Sequence, residues 1–284
     1  MADRLPRYGV VTLVAIGWLL TPAGAWATVI VSTIGEPITI GFDAYSGTGV
    51  APGGGGGTLD SDQWNLNLFN ADSGSFFETG FGGSAGAGVF GRGTSPGGVD
   101  PADFGFYAFE VAPGDIALGT QPGPTDFSAP GIELRLENQT GFEIDFVEIS
   151  YTVYVRNDSD ESLYVDLEFS DGGVFIDPFL FDTPIDADTP ADFVAFQLSY
   201  DLVLPLFSGF GFDSVAPVAP GGTLDVRWSI GGSPDLSGGY DEVAIDNIRI
   251  TAFSSQVPEP TAAWVAMFAV ALAGRRREPS PSLD

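Results

Sequence analysis

Regular alternation of apolar and polar residues is the feature that most constrains how this chain can fold. Between Ser162 and Ser170 every second residue is apolar, and the residues between them are Tyr, Asp and Glu. The same pattern recurs from Leu224 to Ile230 and from Ile132 to Leu136. Because successive side chains of a β-strand point to opposite sides, this period predicts strands with one buried face and one solvated face. Antiparallel sheets that are solvated on one side have this pattern.

Other segments extend the β prediction along the chain. Glycine (39 residues) and proline (21 residues) are abundant, which favours short strands joined by turns over long helices. The sequence therefore predicts an all-β fold, a two-sheet antiparallel sandwich of jelly-roll type with about ten strands. The remaining candidate strands are Val29 to Ile34, Ile38 to Phe42, Trp64 to Phe69, Phe104 to Val111, Ile144 to Arg156, Phe193 to Leu204 and Glu242 to Phe253.

Two of these strands break their own alternation. From Ile144 to Arg156 the apolar positions shift by one residue near Phe146. From Asp241 to Ile248, which reads DEVAIDNI, they shift near Asp246 and Asn247. A shift of one residue predicts a β-bulge, which turns a side chain in a new direction.

Composition excludes several kinds of chemistry. The chain has no Cys and no His, and all its basic residues are Arg, so it lacks the residues for thiolate, Ser-His, His-zinc and Schiff-base sites. Its formal net charge is -28, which repels phosphate groups and predicts no binding to nucleic acid. Such acidity either keeps an exported protein soluble or attracts cations such as Ca²⁺. Paired carboxylates could hydrolyse glycosides, but the sequence distinguishes no pair, and we predict no enzyme.

The DEVAIDNI segment is the candidate metal site. An Asp held at a bulge on a core strand needs partners, and either a Ca²⁺ ion or backbone N–H groups would supply them. The predicted calcium ligands are Asp241, Asp246 and Asn247, and a purely structural role for these side chains is the alternative.

The N-terminus has the organisation of a secretory signal peptide. Arg4 and Arg7 precede an apolar stretch from Val10 to Leu20, and Ala25 to Ala27 supplies the small-residue cleavage pattern. The apolar stretch is shorter than the roughly 20 residues of a membrane-spanning helix. We therefore expect residues 1–27 to form a short apolar helix that is cleaved before Thr28.

The C-terminus carries three elements in order. A VPEP motif is followed by an apolar stretch from Ala262 to Ala273 and by three arginines. This tail resembles the PEP-CTERM sorting signal. The resemblance implies recognition by an exosortase-type processing enzyme and delivery, through the inner membrane, to the cell envelope or extracellular matrix. The residues that carry it are Val257, Pro258, Glu259, Pro260, Arg275, Arg276 and Arg277.

The apolar stretch of the tail favours transient membrane insertion. Residues 261 to 274 would form a helix of about 21 Å, shorter than a hydrocarbon core of about 30 Å. An ordinary C-terminal membrane anchor is the alternative. The predicted organisation is thus a signal peptide (residues 1–27), a β-sandwich ectodomain (28–256) and a sorting tail with a short apolar helix (257–284).

Phrases within the ectodomain resemble the lectin-like jelly-roll domains of other PEP-CTERM proteins. They include LDSDQW (59 to 64), GIELRLENQTG (131 to 141) and DEVAIDNI (241 to 248). The leading functional prediction is an exported non-enzymatic surface or matrix protein. The alternative is a calcium-dependent carbohydrate-binding module for exopolysaccharide. Trp64 and Trp228 are predicted to lie in the core. Tyr107, Tyr154 and Tyr164 are the candidate exposed rings, and an ordinary strand position is the alternative for each.

Overall fold

The architecture is all-β, as the alternation predicts. The computed structural model describes residues 28–70, 75–86, 88–99, 103–123, 130–158, 162–183, 192–207, 214–232 and 240–256. Within these ranges there are eighteen strands and no helix. The helices predicted in residues 1–27 and 257–284 lie outside the described residues.

Two seven-stranded sheets form the sandwich. Sheet 1 has the strand order β13-β12-β17-β10-β5-β6, with β1 paired to β10. Its strands are β1 (Val29–Val31), β5 (Trp64–Asn70), β6 (Ser75–Glu78), β10 (Gly131–Asn138), β12 (Leu163–Ser170), β13 (Ile176–Asp182) and β17 (Thr223–Gly232).

Sheet 2 has the strand order β14-β11-β18-β9-β8-β7, with β2 paired to β18. Its strands are β2 (Pro37–Ile40), β7 (Thr94–Ser95), β8 (Gly105–Ala112), β9 (Asp115–Gln121), β11 (Phe146–Arg156), β14 (Phe193–Val203) and β18 (Glu242–Phe253). Two small ribbons lie apart from the sheets, one formed by β3 (Val50–Ala51) and β4 (Leu59–Asp60) and one by β15 (Leu206–Phe207) and β16 (Ser214–Val215).

The connections between the long strands give the jelly-roll topology. The chain crosses from β10 in sheet 1 to β11 in sheet 2, returns to β12, and later passes from β14 to β17 and on to β18. The long strands pair antiparallel, and the parallel pairs all involve short strands: β1 with β10, β3 with β4, and β7 with β8. The predicted two-sheet sandwich of jelly-roll type is confirmed.

The core lies between the sheets and is filled by the inward-facing half of each alternating strand. In β12 the apolar positions are buried and the polar positions between them are exposed or half-buried. Trp228 is completely buried, with its ring 6.5 Å from that of Trp64 and 5.5 Å from that of Tyr151. Both tryptophans therefore belong to the core, as predicted.

Two details differ from the sequence-based prediction. The shift near Phe146 is not a bulge within a strand, since β11 begins at Phe146 and Ile144 precedes it in an isolated bridge with Val218. The structure has eighteen strands in the described ranges and not about ten, because β9, β13 and six short strands (β3, β4, β6, β7, β15 and β16) were not predicted. In β13, Asp177 and Pro178 interrupt the apolar pattern, and in β9 the residues Gly119 to Gln121 are buried although they are small or polar.

Candidate functional site

The outer face of sheet 2 carries an ordered grid of polar side chains. The outward positions of β14, β11 and β18 lie side by side in rows, because the three strands pair in register. One row contains Ser199, Ser150 and Arg249, and the next contains Gln197 and Thr152. Rigid strands fix these hydroxyl and amide groups more firmly than a loop would.

Two adjoining depressions follow this grid, and we call them together the sheet 2 groove. Their volumes are about 390 Å³ and about 260 Å³, and they share Ser150 and Ser199. The side chains that line the groove on the outer face are Glu148, Ser150, Thr152, Gln197, Ser199, Asp201, Asn247, Arg249 and Thr251. Its walls therefore offer many hydrogen-bond donors and acceptors, and three of the nine side chains are charged.

A β-bulge places Asn247 in the groove. Ser150 pairs with Arg249 and Thr152 pairs with Asp246, so β18 carries one extra residue opposite β11. Asn247 has a φ of 53°, and it is the one non-glycine residue with positive φ among the described residues. Asn tolerates this left-handed conformation better than most residues do. The bulge predicted near Asp246 and Asn247 is confirmed.

Asp246 lies beside the groove but is covered. Its side chain is 3% exposed, and its Oδ1 accepts a hydrogen bond from the backbone N–H of Phe42 at 3.2 Å. Burial raises its pKa to about 6, and the nearby carboxylates of Asp115 and Asp43 add to the rise. Backbone hydrogen bonds from Asn247 and Phe42 oppose it. Of the two kinds of partner predicted for this Asp, a Ca²⁺ ion or backbone N–H groups, the structure shows a backbone N–H group.

Asp241 lies directly before β18 and Glu242 is the first residue of that strand. Both are fully buried. Glu242 accepts a hydrogen bond from the backbone N–H of Val99 at 2.6 Å and forms an ion pair with Arg156 at 3.3 Å. Burial is the main cause that raises the pKa of Glu242. These contacts anchor the segment before β8 to sheet 2.

The structure does not bring the predicted calcium ligands together. Asp241 and Asp246 are five residues apart on extended chain, a separation of about 16 Å, whereas two ligands of one ion lie within a few ångströms of it. Across the described residues, no group of three or more acidic side chains has a metal-binding arrangement. Calcium at Asp246 and Asn247 stays a prediction, without Asp241 in the same site.

An aromatic cluster borders the groove at the Thr152 end. Tyr107, Phe109, Ala117 and Ala244 are buried on the outer side of sheet 2, and the half-buried ring of Tyr154 packs against them. The Tyr154 hydroxyl donates to Asp115 at 3.4 Å. The prediction that Tyr107 is exposed is wrong, because this second cluster buries its ring to 5% exposure. Tyr164 is exposed, but it belongs to the other face of the sandwich.

The outer face of sheet 1 is closed by a network of charged and amide groups. Arg135 donates two hydrogen bonds of 2.7 Å to the carboxylate of Asp225, and Arg227 pairs with Glu168. The guanidinium of Arg135 lies 3.8 Å from the ring centre of Phe81, and that of Arg227 lies 3.6 Å from the ring centre of Phe175. Stacked rings of this kind shield the ion pairs from water.

Glu133 is the buried carboxyl of this network. It is 7% exposed and accepts hydrogen bonds from the side-chain amides of Asn65 and Asn67 at 3.3 and 3.4 Å. Burial raises its pKa to about 7, and the charge of Asp225 contributes, while Arg227 and Arg135 oppose the rise. This network was not predicted from the sequence. The sequence pattern that could have indicated the network is acid-x-Arg, which both β10 and β17 carry at their polar positions.

The predicted sorting tail is not among the described residues. Val257 to Pro260 and the three arginines from Arg275 to Arg277 lie outside the described residues. The part of the chain that the structure describes contains no helix long and apolar enough to cross a membrane.

Comparisons with known proteins give no family. No family model matches the chain, and no curated protein matches it by sequence. Among solved structures, a xylan-binding domain from Paenibacillus barcinonensis Xyn10C is 13% identical, with a TM-score of 0.34 over 79% of this chain and 99% of that one. A carbohydrate-binding module specific for non-crystalline cellulose is 14% identical, with a TM-score of 0.31 over 52% of this chain and 79% of that one.

An adhesin domain of Lys-gingipain from Porphyromonas gingivalis is also similar, at 13% identity and a TM-score of 0.28 over 48% of this chain and 74% of that one. Likeness at this level carries no argument about what this chain binds. The jelly-roll assignment rests on the strand order of the two sheets.

Proposed function

We propose that this protein is an exported, non-enzymatic component of the cell surface or extracellular matrix, and that its sandwich binds polysaccharide in the sheet 2 groove. The observation that carries the binding proposal is the groove itself. It combines hydroxyl, amide and carboxylate groups in fixed rows, with Tyr154 one row beyond Thr152. Sugars present hydroxyl groups that can donate and accept, and such a surface matches them.

The charge of the protein narrows the ligand class. A net charge of -28 repels polyanions such as uronic-acid polymers. The groove itself carries Glu148, Asp201 and Arg249, so a neutral or weakly cationic polysaccharide fits it best. Hydrogen bonds exchanged with water add only about 1 kcal/mol each, and we expect affinities on the order of millimolar per site.

We propose the cellular location of the protein from the sequences of its two termini. A signal peptide in residues 1–27 would start export, and the VPEP motif would be recognised by an exosortase-type enzyme, with transient insertion of the apolar stretch in the membrane. Delivery of the sandwich to a polysaccharide-rich layer would supply the ligand at high local concentration, which compensates for weak binding.

Removal of one side chain tests the binding proposal. Asn247→Gly deletes the amide in the groove while glycine keeps the positive φ of the bulge. We expect a several-fold loss of binding to neutral host polysaccharide by affinity electrophoresis, with an unchanged melting temperature. The matched control is Ser229→Ala on the outer face of sheet 1, which should bind normally. Equal binding by wild type and Asn247→Gly would refute the assignment of the groove.

A separate experiment tests sorting. Replacement of Pro258, Glu259 and Pro260 by Ala should leave an unprocessed, membrane-associated chain in the host, and deletion of the exosortase should give the same result. Substitution of Ala for Ser280 to Ser282, beyond the arginines, is the control. Normal size and location of the first variant would rule out processing at the motif.

A further inference from the structure

The free edge of β14 differs from the other sheet edges. β13 at the edge of sheet 1 contains Pro178 and a register shift, β6 has four residues, and β7 has two. Short strands, proline and irregular pairing are the usual means of protecting an edge. By contrast, β14 pairs with β11 over eleven residues without a shift, and no other described strand pairs with it.

The core is also incompletely covered at this edge. The inward-facing residues of β11 are at most 2% exposed, whereas the inward-facing Phe196, Leu198 and Tyr200 of β14 are only half-buried. Val194 is 44% exposed and Val203 is 65% exposed. Apolar surface thus occurs along an edge with which no other described strand pairs.

The sequence of β14 is complementary to itself when read in the opposite direction. If Leu198 lies opposite Leu198 of a second copy in an antiparallel pair, Phe196 faces the partner's Tyr200 and Gln197 faces the partner's Ser199. Val194 then faces the partner's Leu202, and Asp201 faces the partner's Ala195, so no acid faces another acid. Aromatic cross-strand pairs stabilise antiparallel strands, and like charges directly opposite would destabilise them.

We infer that two copies of this chain pair through β14, antiparallel about Leu198, to form a two-fold symmetric dimer with a continuous sheet 2. The inference does not depend on polysaccharide binding. It has a consequence for the groove, because Gln197 and Ser199 line it at this edge. In the dimer the two grooves meet, and one long polar surface crosses both copies.

Charge substitutions at Ala195 test the pairing and its register. Ala195 is exposed and would lie opposite the partner's Asp201. Because the dimer is two-fold symmetric, it contains this pair twice. Ala195→Glu should weaken the dimer and Ala195→Lys should strengthen it, each between about twofold and thirtyfold in Kd. Sedimentation equilibrium of the full-length protein in mild detergent measures both. Ile30→Glu and Ile30→Lys on β1 make the same charge changes far from β14 and should give equal Kd values.

A disulfide test detects the same pairing when it is weak. The chain has no cysteine, so a single introduced thiol can react only with its copy. Directly opposed residues have Cα atoms about 4.5 to 5.5 Å apart, within disulfide range. Leu198→Cys should therefore form a covalent dimer on mild oxidation. Ala195→Cys, about 20 Å from its copy in this register, should not.

The outcomes separate this inference from the proposed function. A wild-type protein that is monomeric at all concentrations, together with no Leu198→Cys dimer, would overturn the inference. So would a dimer whose Kd responds equally to Glu and Lys at Ala195. A monomer that still binds polysaccharide, with binding lost in Asn247→Gly, would overturn the dimer and leave the proposed function standing.

Discussion

The outer faces of the two sheets differ in what covers them. On sheet 1, paired charges, two amides and two phenylalanine rings cover the strands. On sheet 2, hydroxyl and amide groups line a groove that is open to water. Both faces arise from the same alternating strand pattern. The difference lies in what the polar positions hold. Acid and Arg alternate on β10 and β17, while β11 and β14 bring Ser150, Thr152, Gln197 and Ser199 together at the centre of the groove. Oppositely charged neighbours close a surface by pairing, and small neutral groups leave it available for a ligand.

The largest expected effect is a loss of stability when an ion pair on the outer face of sheet 1, the closed face, is removed. Arg135→Ala would leave the carboxylate of Asp225, whose side chain is 6% exposed, without its bidentate partner. Removal of one member of a fully buried pair costs about 3 to 5 kcal/mol. Because the side chain of Arg135 is 30% exposed, we expect a loss at the lower end of this range, about 3 kcal/mol, in the free energy of unfolding measured with urea. Arg249→Ala on the open face should change it by less than about 0.5 kcal/mol. Similar losses in the two variants would erase the contrast between the faces.

Glu133 on the closed face should contribute strongly to the pH dependence of stability, beside the buried Asp246 of sheet 2. Burial raises the pKa of Glu133 from 4.5 to about 7, so the folded state holds this proton more tightly than the unfolded chain does. The stabilisation is complete below about pH 4.5 and is lost as the pH rises to 7, by about 3 kcal/mol. Glu133→Gln should flatten this slope in denaturant titrations at each pH.

Glu148→Gln provides the matched control for that titration. Glu148 is exposed in the sheet 2 groove, and its replacement removes the same charge without touching a buried carboxyl. Its unfolding free energy should follow the wild-type pH curve. Parallel curves for wild type and Glu133→Gln would mean that Glu133 is not the buried titrating group.

The calcium prediction concerns the bulge beside the open face. A ligand that binds only the folded state at a hundredfold over its Kd adds about 2.7 kcal/mol. We expect Ca²⁺ to raise the melting temperature more than Mg²⁺ does at equal ionic strength, and Asp246→Asn to remove the difference. Asp241→Asn should leave it intact, since Asp241 lies about 16 Å from Asp246, directly before β18 begins. Equal responses to the two ions would leave Asp246 with a structural role only.

The smallest expected effect tests the backbone at Asn247. Its φ of 53° costs most L-residues about 1 kcal/mol more than it costs glycine or asparagine. Asn247→Ala should therefore destabilise the protein by about 1 kcal/mol in thermal unfolding, and Asn247→Gly should be close to neutral. A loss of the same size in both variants would show that the side chain, rather than the conformation of the bulge, stabilises this position.

Prediction from sequence succeeded where the signal was local. The alternation of β12, β17 and β10 and the bulge at Asp246 and Asn247 could be read from consecutive residues. It failed where neighbours decided the outcome. Tyr107 has an ordinary strand sequence around it, yet Phe109, Ala244 and the segment at Val99 bury it on the outer side of its sheet.

The sequence by itself determined that this chain forms a β-sandwich, which positions face inward and where β18 bulges, because each depends on residues within a few positions of one another. Only the tertiary structure decided that Glu133 lies against Asn65 and Asn67 and that three strands form the sheet 2 groove. Those relations join residues about 50 to 100 positions apart, and strand order and register, which local alternation does not encode, bring them together.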